Sequence, residues 1–170
     1  SDDYTNDPKG SISIIDVSKI NQIRNDSSSS LTLPVTTLDF TAYDSKKAEL
    51  IAKGVRIFGK NASVSQDLEP EYVAISADST KAFVTLQENN ALAFVDLATS
   101  SITDIKPLGY KDYNALGLAF DSNDKDKSYN PYPWPVFGMY QPDSIVSFTI
   151  DNASPPAFQE VNSAYSNTAF

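Results

Sequence analysis

Between positions 71 and 108, apolar and polar residues alternate in four short bursts, each closed by a polar turn. Residues 72–76 (Tyr-Val-Ala-Ile-Ser) are followed by Ala77-Asp78-Ser79-Thr80, residues 81–86 by Gln87 to Asn90, and residues 91–97 by a turn over 98–101; residues 102–105 close the series. A period of two sends successive side chains to opposite faces of a sheet, and Asp, Ser and Asn between the runs are turn formers. Turns this short leave antiparallel neighbours as the only partners, so the four runs predict a meander. Four strands in about 38 residues match the spacing of one propeller blade.

The rest of the chain is less regular. Residues 1–10 are polar and acidic, with a turn signal at Asp7-Pro8 and Gly10 at the close. Residues 11–17 (Ser-Ile-Ser-Ile-Ile-Asp-Val) read as a strand, 21–30 as a low-complexity loop, and 31–38 as an extended run that Pro34 restricts to an edge. Residues 44–53 predict the one helix, with Asp44 as N-cap and Gly54 as the stop, and 55–58 predict a further short strand. A long polar loop over 109–136 leads to a last strand at 144–150, and 151–170 read as an irregular tail. Segments 11–16, 91–96 and 144–151 share one shape: a small residue, alternating β-formers, then Asp. They are expected to be the same strand of three successive blades.

Composition narrows the chemistry. Apolar residues make up 41% of the 170 positions, with 9 Phe and 9 Tyr, so the chain has the material for a core and is not a disordered acidic tail. The formal charge of −9 is a poor match for nucleic acid or an anionic membrane surface, both of which are bound through Lys and Arg. No run of apolar residues is long enough to span a bilayer, and Ser1 reads as a processed or trimmed start. With 0 Cys there is no disulfide and no thiolate, and with 0 His there is no imidazole base or ligand. Catalysis on this chain is left to carboxylates, Lys, Arg, Tyr or an oxygen-bound cation.

Several segments together resemble the choice-of-anchor I family. They are Leu68-Glu69-Pro70-Glu71-Tyr72-Val73-Ala74, then Ala82-Phe83-Val84-Thr85-Leu86-Gln87-Glu88-Asn89-Asn90-Ala91-Leu92-Ala93. To these are added Gly10-Ser11-Ile12-Ser13-Ile14-Ile15-Asp16, Gly54-Val55-Arg56-Ile57-Phe58-Gly59 and Trp134-Pro135-Val136-Phe137-Gly138-Met139-Tyr140-Gln141-Pro142-Asp143. The resemblance covers roughly residues 2–150, and the segment 71–105 is also similar to the wider YVTN-type propeller repeat. It implies a secreted or cell-surface β-propeller like the mesenchyme-specific cell-surface glycoproteins. The usual continuation after Asp151 does not appear. A closed ring of seven blades at about 40–45 residues each needs about 300 residues. The fold expected is therefore all-β, a partial β-propeller over residues 1–150, with one full blade at about 71–108, parts of two or more others and one inserted short helix. Open sheet edges would be left over, so the chain is expected to be a fragment, a processed piece or one part of a propeller completed by other blades.

Four groups of residues carry candidate chemistry. The acidic run offers Asp121, Asn123, Asp124 and Asp126 as oxygen ligands for calcium. It lacks the Gly and Glu of an EF-hand loop, and its competing reading is a solvated loop partly balanced by Lys125 and Lys127. Glu69, Glu71 and Glu88 with Asn89 stand at strand entries and turns of the best blade, where they would line a propeller mouth if they share a face. The stronger reading is structural, a hydrogen-bonded turn over 87–90 and a strand entry set by Pro70. Asn25, Asn61 and Asn152 begin glycosylation sequons. Trp134, between Pro133 and Pro135 and near Tyr129, Tyr132 and Tyr140, is either a stacking platform for sugar or partner, or more simply a plug packed over the propeller.

The function expected is non-enzymatic: an extracellular or cell-surface glycoprotein with a structural, matrix or adhesion role, steadied by calcium. Its expected partners are further propeller blades in the same precursor or another chain, a second copy or a matrix component, with no nucleic acid. The alternative is a metal-dependent, phosphatase- or phytase-like propeller enzyme whose site is completed by blades outside this chain. No nucleophile motif supports that alternative.

Overall fold

The structure, a computed structural model, describes residues 7–18, 20–21 and 32–148. The low-complexity loop expected over 21–30 (beyond Asn21), the sequons at Asn25 and Asn152, and the tail at 151–170 lie outside the described residues. At its centre is the predicted meander: β3 (Pro70–Ile75), β4 (Lys81–Leu86), β5 (Ala91–Asp96) and β6 (Ser101–Pro107), antiparallel and in that spatial order. Carboxylates close the turns at one end. Asp78 accepts from the Ser76 hydroxyl and from the N–H and hydroxyl of Thr80. Asp96 accepts in the same way from Thr99 and also pairs with Lys81 across the strand boundary.

Both central strands are buried along most of their length because each face of the sheet carries a second layer. Ala82, Val84, Leu86, Ala91, Ala93, Val95 and Ile105 line one face, and the small alanines let the neighbouring layer come close. Ala74, Phe83 and Leu92 line the other, with Ile145 packed on them and Phe83 set edge-on to Phe94, ring centres 5.1 Å apart.

The first face is covered from the N-terminal side. β1 (Ser11–Ile15) pairs antiparallel with β2 (Val35–Asp39), and Ile12, Ile14, Leu38 and Phe40 face the alanine side of the blade. β1 ends earlier than residue 17 because Asp16 turns its carboxylate onto the Ser18 N–H. Pro34 stands just before β2, as an edge strand allows.

A 3-10 helix at Thr41–Lys46 then runs into α1 (Lys47–Lys53). Gly54 is the predicted stop, with φ of 105°, a left-handed conformation that glycine adopts without strain. The predicted start is corrected: Asp44 does not cap this helix. It serves the first turn of the next one, α2 (Val64–Asp67), by accepting from the Ser65 N–H at 2.7 Å and from its hydroxyl at 3.1 Å. Residues 55–58 form no strand. Their backbone is satisfied piecemeal: Val55 N–H goes to Leu50 C=O, Arg56 N–H to Asn89 C=O, and Phe58 N–H to the Asp67 carboxylate.

The second face is covered from the C-terminal side. What reads as a loop over 109–136 is the interior of a long hairpin whose ends pair as β7 (Tyr110–Asp112) and β8 (Phe137–Met139). Phe120 and Tyr132 bridge across it, and the Tyr113 ring lies over Gly138, where a Cβ would come within 2.8 Å of it. Strands of three residues are too short to show as alternation. Residues 144–148 form no strand; Ile145 is buried and the Ser147 hydroxyl donates to Ile75 C=O. The fold is all-β and propeller-like, with short helices inserted before the blade. Among the described residues no helix is long and apolar enough to cross a membrane.

Candidate functional site

Antiparallel order brings the start of β3, the β4–β5 turn and the end of β6 to one end of the blade. Two adjacent asparagines in that turn, Asn89 and Asn90, are wholly buried. The Asn89 amide donates to the C=O of Arg56 at 2.9 Å, the C=O of Asp67 at 2.7 Å and the Asp67 carboxylate at 3.2 Å. Its side-chain oxygen accepts from Glu69 N–H at 3.1 Å. Asp67, itself buried, also accepts from Phe58 and Gly59 N–H. Asn89 is thus a keystone between the turn, α2 and the residues after α1, and the 87–90 turn is hydrogen-bonded as the structural reading requires.

Asn90 faces the other way. It has φ of 51°, which Asn tolerates better than most residues. Its amide donates to Gly109 C=O, and its oxygen accepts from the N–H groups of Tyr140 and Gln141. Neither Asp67 nor Asn90 stands out in the sequence. A Ser63-x-x-Gln66 capping box marks α2, and with it the place of Asp67, to anyone who looks for it.

Around this knot stands a carboxylate rim. Glu69, half-buried, has its pKa raised, first by burial and then by the negative charges of Asp7, Glu88 and Asp67. Glu71 is raised too, by burial first and then by Asp143, Glu88 and Glu69. The structure therefore brings Glu69, Glu71 and Glu88 to one end of the blade. Arg56 is the cation among them: it donates to Glu88 C=O at 3.1 Å, lies 3.4 Å from its carboxylate, and stacks over the Phe58 ring. Such a rim draws cations and disfavours anionic ligands. Asn89 lies beneath it, its amide and carbonyl spent on backbone and on Asp67.

The other candidates are dispersed. In the hairpin, Asp121 accepts from Asn123 and Asn130 N–H, Asn123 from Lys125 N–H, and Asp126 from Ser128 N–H. The first two bonds lower the Asp121 pKa. These side chains, with Asp124, follow one another along a run of Asx turns, and among the described residues no three acidic side chains converge on a metal-sized site. Tyr132 and Trp134 touch edge-to-face with centres 5.2 Å apart, half open to solvent, while Tyr140 is tied to Asn90 through its backbone. Asn61 is exposed in the turn before α2.

The profile of the choice-of-anchor I domain matches residues 1–154. No curated protein and no solved structure matches the chain.

Proposed function

The chain belongs to the choice-of-anchor I domain family, and from that premise we propose that it is a non-catalytic section of an extracellular or cell-surface propeller with a matrix or adhesion role. Choice-of-anchor domains are typically found in cell-surface or secreted proteins, which supports an extracellular place for this one. The observation that carries the binding role is the use made of the polar groups at the blade's end. Asn89 and Asp67 are consumed in holding the fold, and Glu88 is paired with Arg56. What remains outward is an acidic rim and an aromatic hairpin, features for contact rather than turnover. In this reading Asn61 carries a glycan, and further blades flank β1 and the β7–β8 hairpin.

The second reading is the metal-dependent phosphoesterase, for which the one supporting observation is that Glu69 and Glu71, both with raised pKa and so suited to proton transfer, share one end of the blade. Two assays on the propeller as purified from its source separate the readings: adhesion to wells coated with extracellular matrix, and turnover of a panel of phosphate esters with calcium present. Saturable adhesion with flat turnover is expected. Turnover lost in Glu69→Ala and Glu88→Ala overturns the first reading.

A further inference from the structure

The geometry points to the open edge of β1 as a docking site for a β-hairpin of the β3–β4 kind, an inference that rests on the propeller reading above. β1 and β5 are equivalent strands. Ser11-Ile12-Ser13-Ile14-Ile15-Asp16 matches Ala91-Leu92-Ala93-Phe94-Val95-Asp96 position by position, and both Asp side chains accept from a backbone N–H in the turn that follows.

The hydrogen-bond phase of the two strands agrees as well. Leu97 N–H donates to Thr80 C=O, so the odd-numbered residues of β5 bond to β4 and the even-numbered ones face β6. Asp16 N–H donates to Pro34 C=O, so the even-numbered residues of β1 bond to β2. Ser11, Ser13 and Ile15 therefore aim their N–H and C=O groups at the opposite edge, where β5 has β4 and where no described strand pairs with β1.

A second observation says what covers that edge. β2 packs against β6, so the β1–β2 layer lies over the outer half of the blade. Val73 and Ile75 of β3 lie on the same blade face as Val84 and Ala82, to which they are registered, yet they are 52% and 50% exposed. Two more strands beside β1 would extend the layer inward over them. The fitting occupant is thus an antiparallel hairpin whose second strand completes the ladder on Ser11, Ser13 and Ile15. Its first strand sets apolar side chains on Val73 and Ile75. Main-chain bonds supply affinity and the two apolar residues supply register.

The probe is a synthetic peptide carrying residues 70–87 of this chain, titrated into the full chain and followed by calorimetry and amide exchange. Saturable binding is expected, with protection gained at Ser11, Ser13 and Ile15. Ser13→Pro removes an edge N–H without touching the β2 ladder and is expected to weaken binding about tenfold. Val73→Lys, on an exposed side chain, is expected to weaken it similarly and serves if Ser13→Pro does not fold. No binding, or binding indifferent to both substitutions, overturns the assignment. So does concentration-dependent self-association that Ser13→Pro abolishes, which would seat a second copy on the edge. A peptide that fails to bind while the chain still adheres to matrix removes the edge and leaves the functional reading standing; lost adhesion with retained peptide binding does the reverse.

Discussion

Replacing Asn89 by Ala tests the keystone directly. The substitution strips hydrogen bonds from Arg56 C=O, Asp67 C=O and Glu69 N–H and removes one donor from the Asp67 carboxylate. A buried group left without its partner costs about 1–3 kcal/mol. Asp67 is buried and takes the larger cost, whereas Arg56 and Glu69 are half-buried and water relieves part of theirs. The sum is about 3–5 kcal/mol, a large share of the roughly 5–15 kcal/mol that holds a domain folded. Urea unfolding followed by far-UV circular dichroism should show that loss with an unchanged slope, and Tm should fall by roughly 10 °C. Asn89→Asp sharpens the test, since it sets a second carboxylate against Asp67. Its pKa in the folded chain would rise above the unfolded value, so the variant should be weakest at neutral pH and recover as pH falls and the new acid protonates. If Asn89→Ala stays within about 1 kcal/mol of the parent, the keystone argument is wrong.

Three further outcomes follow from the same contacts. Glu71→Gln should raise Tm at pH 7 by an amount worth less than about 1 kcal/mol, because a carboxylate with a raised folded pKa weakens the fold above that pKa and stops doing so as pH falls below its unfolded value; equal effects at neutral and at strongly acid pH would refute it. Gly10→Ala should destabilise by about 1–3 kcal/mol, since a Cβ there collides with Leu68 C=O and the Pro70 ring, and a neutral result by thermal unfolding would show that Gly10 sits less tightly on the 68–70 segment than this geometry. Millimolar calcium should leave Tm unchanged, because among the described residues no three acidic side chains converge on a metal-sized site; a rise that Asp121→Asn abolishes would mean the hairpin rearranges to bind it.

The parts legible in the sequence are those whose partners are close along the chain. β3 to β6 follow from alternation and turn chemistry within one stretch, and Gly54 from its place after the apolar run of α1. The failures share a cause, a side chain spent on a distant backbone. Asp44 looks like a cap for α1, yet it bonds Ser65 at a separation of 21 residues. Residues 55–58 have the composition of a strand, but Asp67 and Asn89 take the hydrogen bonds a neighbour would have made. The carboxylate rim is legible because glutamates at strand starts and turns of a meander must share an end; the amides that support it are not, because burial of Asn89 and Asn90 depends on layers recruited from both directions.

Those two amides also bear on how the molecule comes apart. In stacked-repeat proteins each unit touches only its neighbours, and the ends can fray separately. Here Asn89 reaches back to the α2 side and Asn90 reaches forward to the β7–β8 hairpin, from consecutive positions of one turn. Opening either flank strands a buried amide in the central blade and loosens the grip on the other. The three sheets share no strand, yet they should melt in a single transition, and a pull on one flank should be felt across the turn by the other.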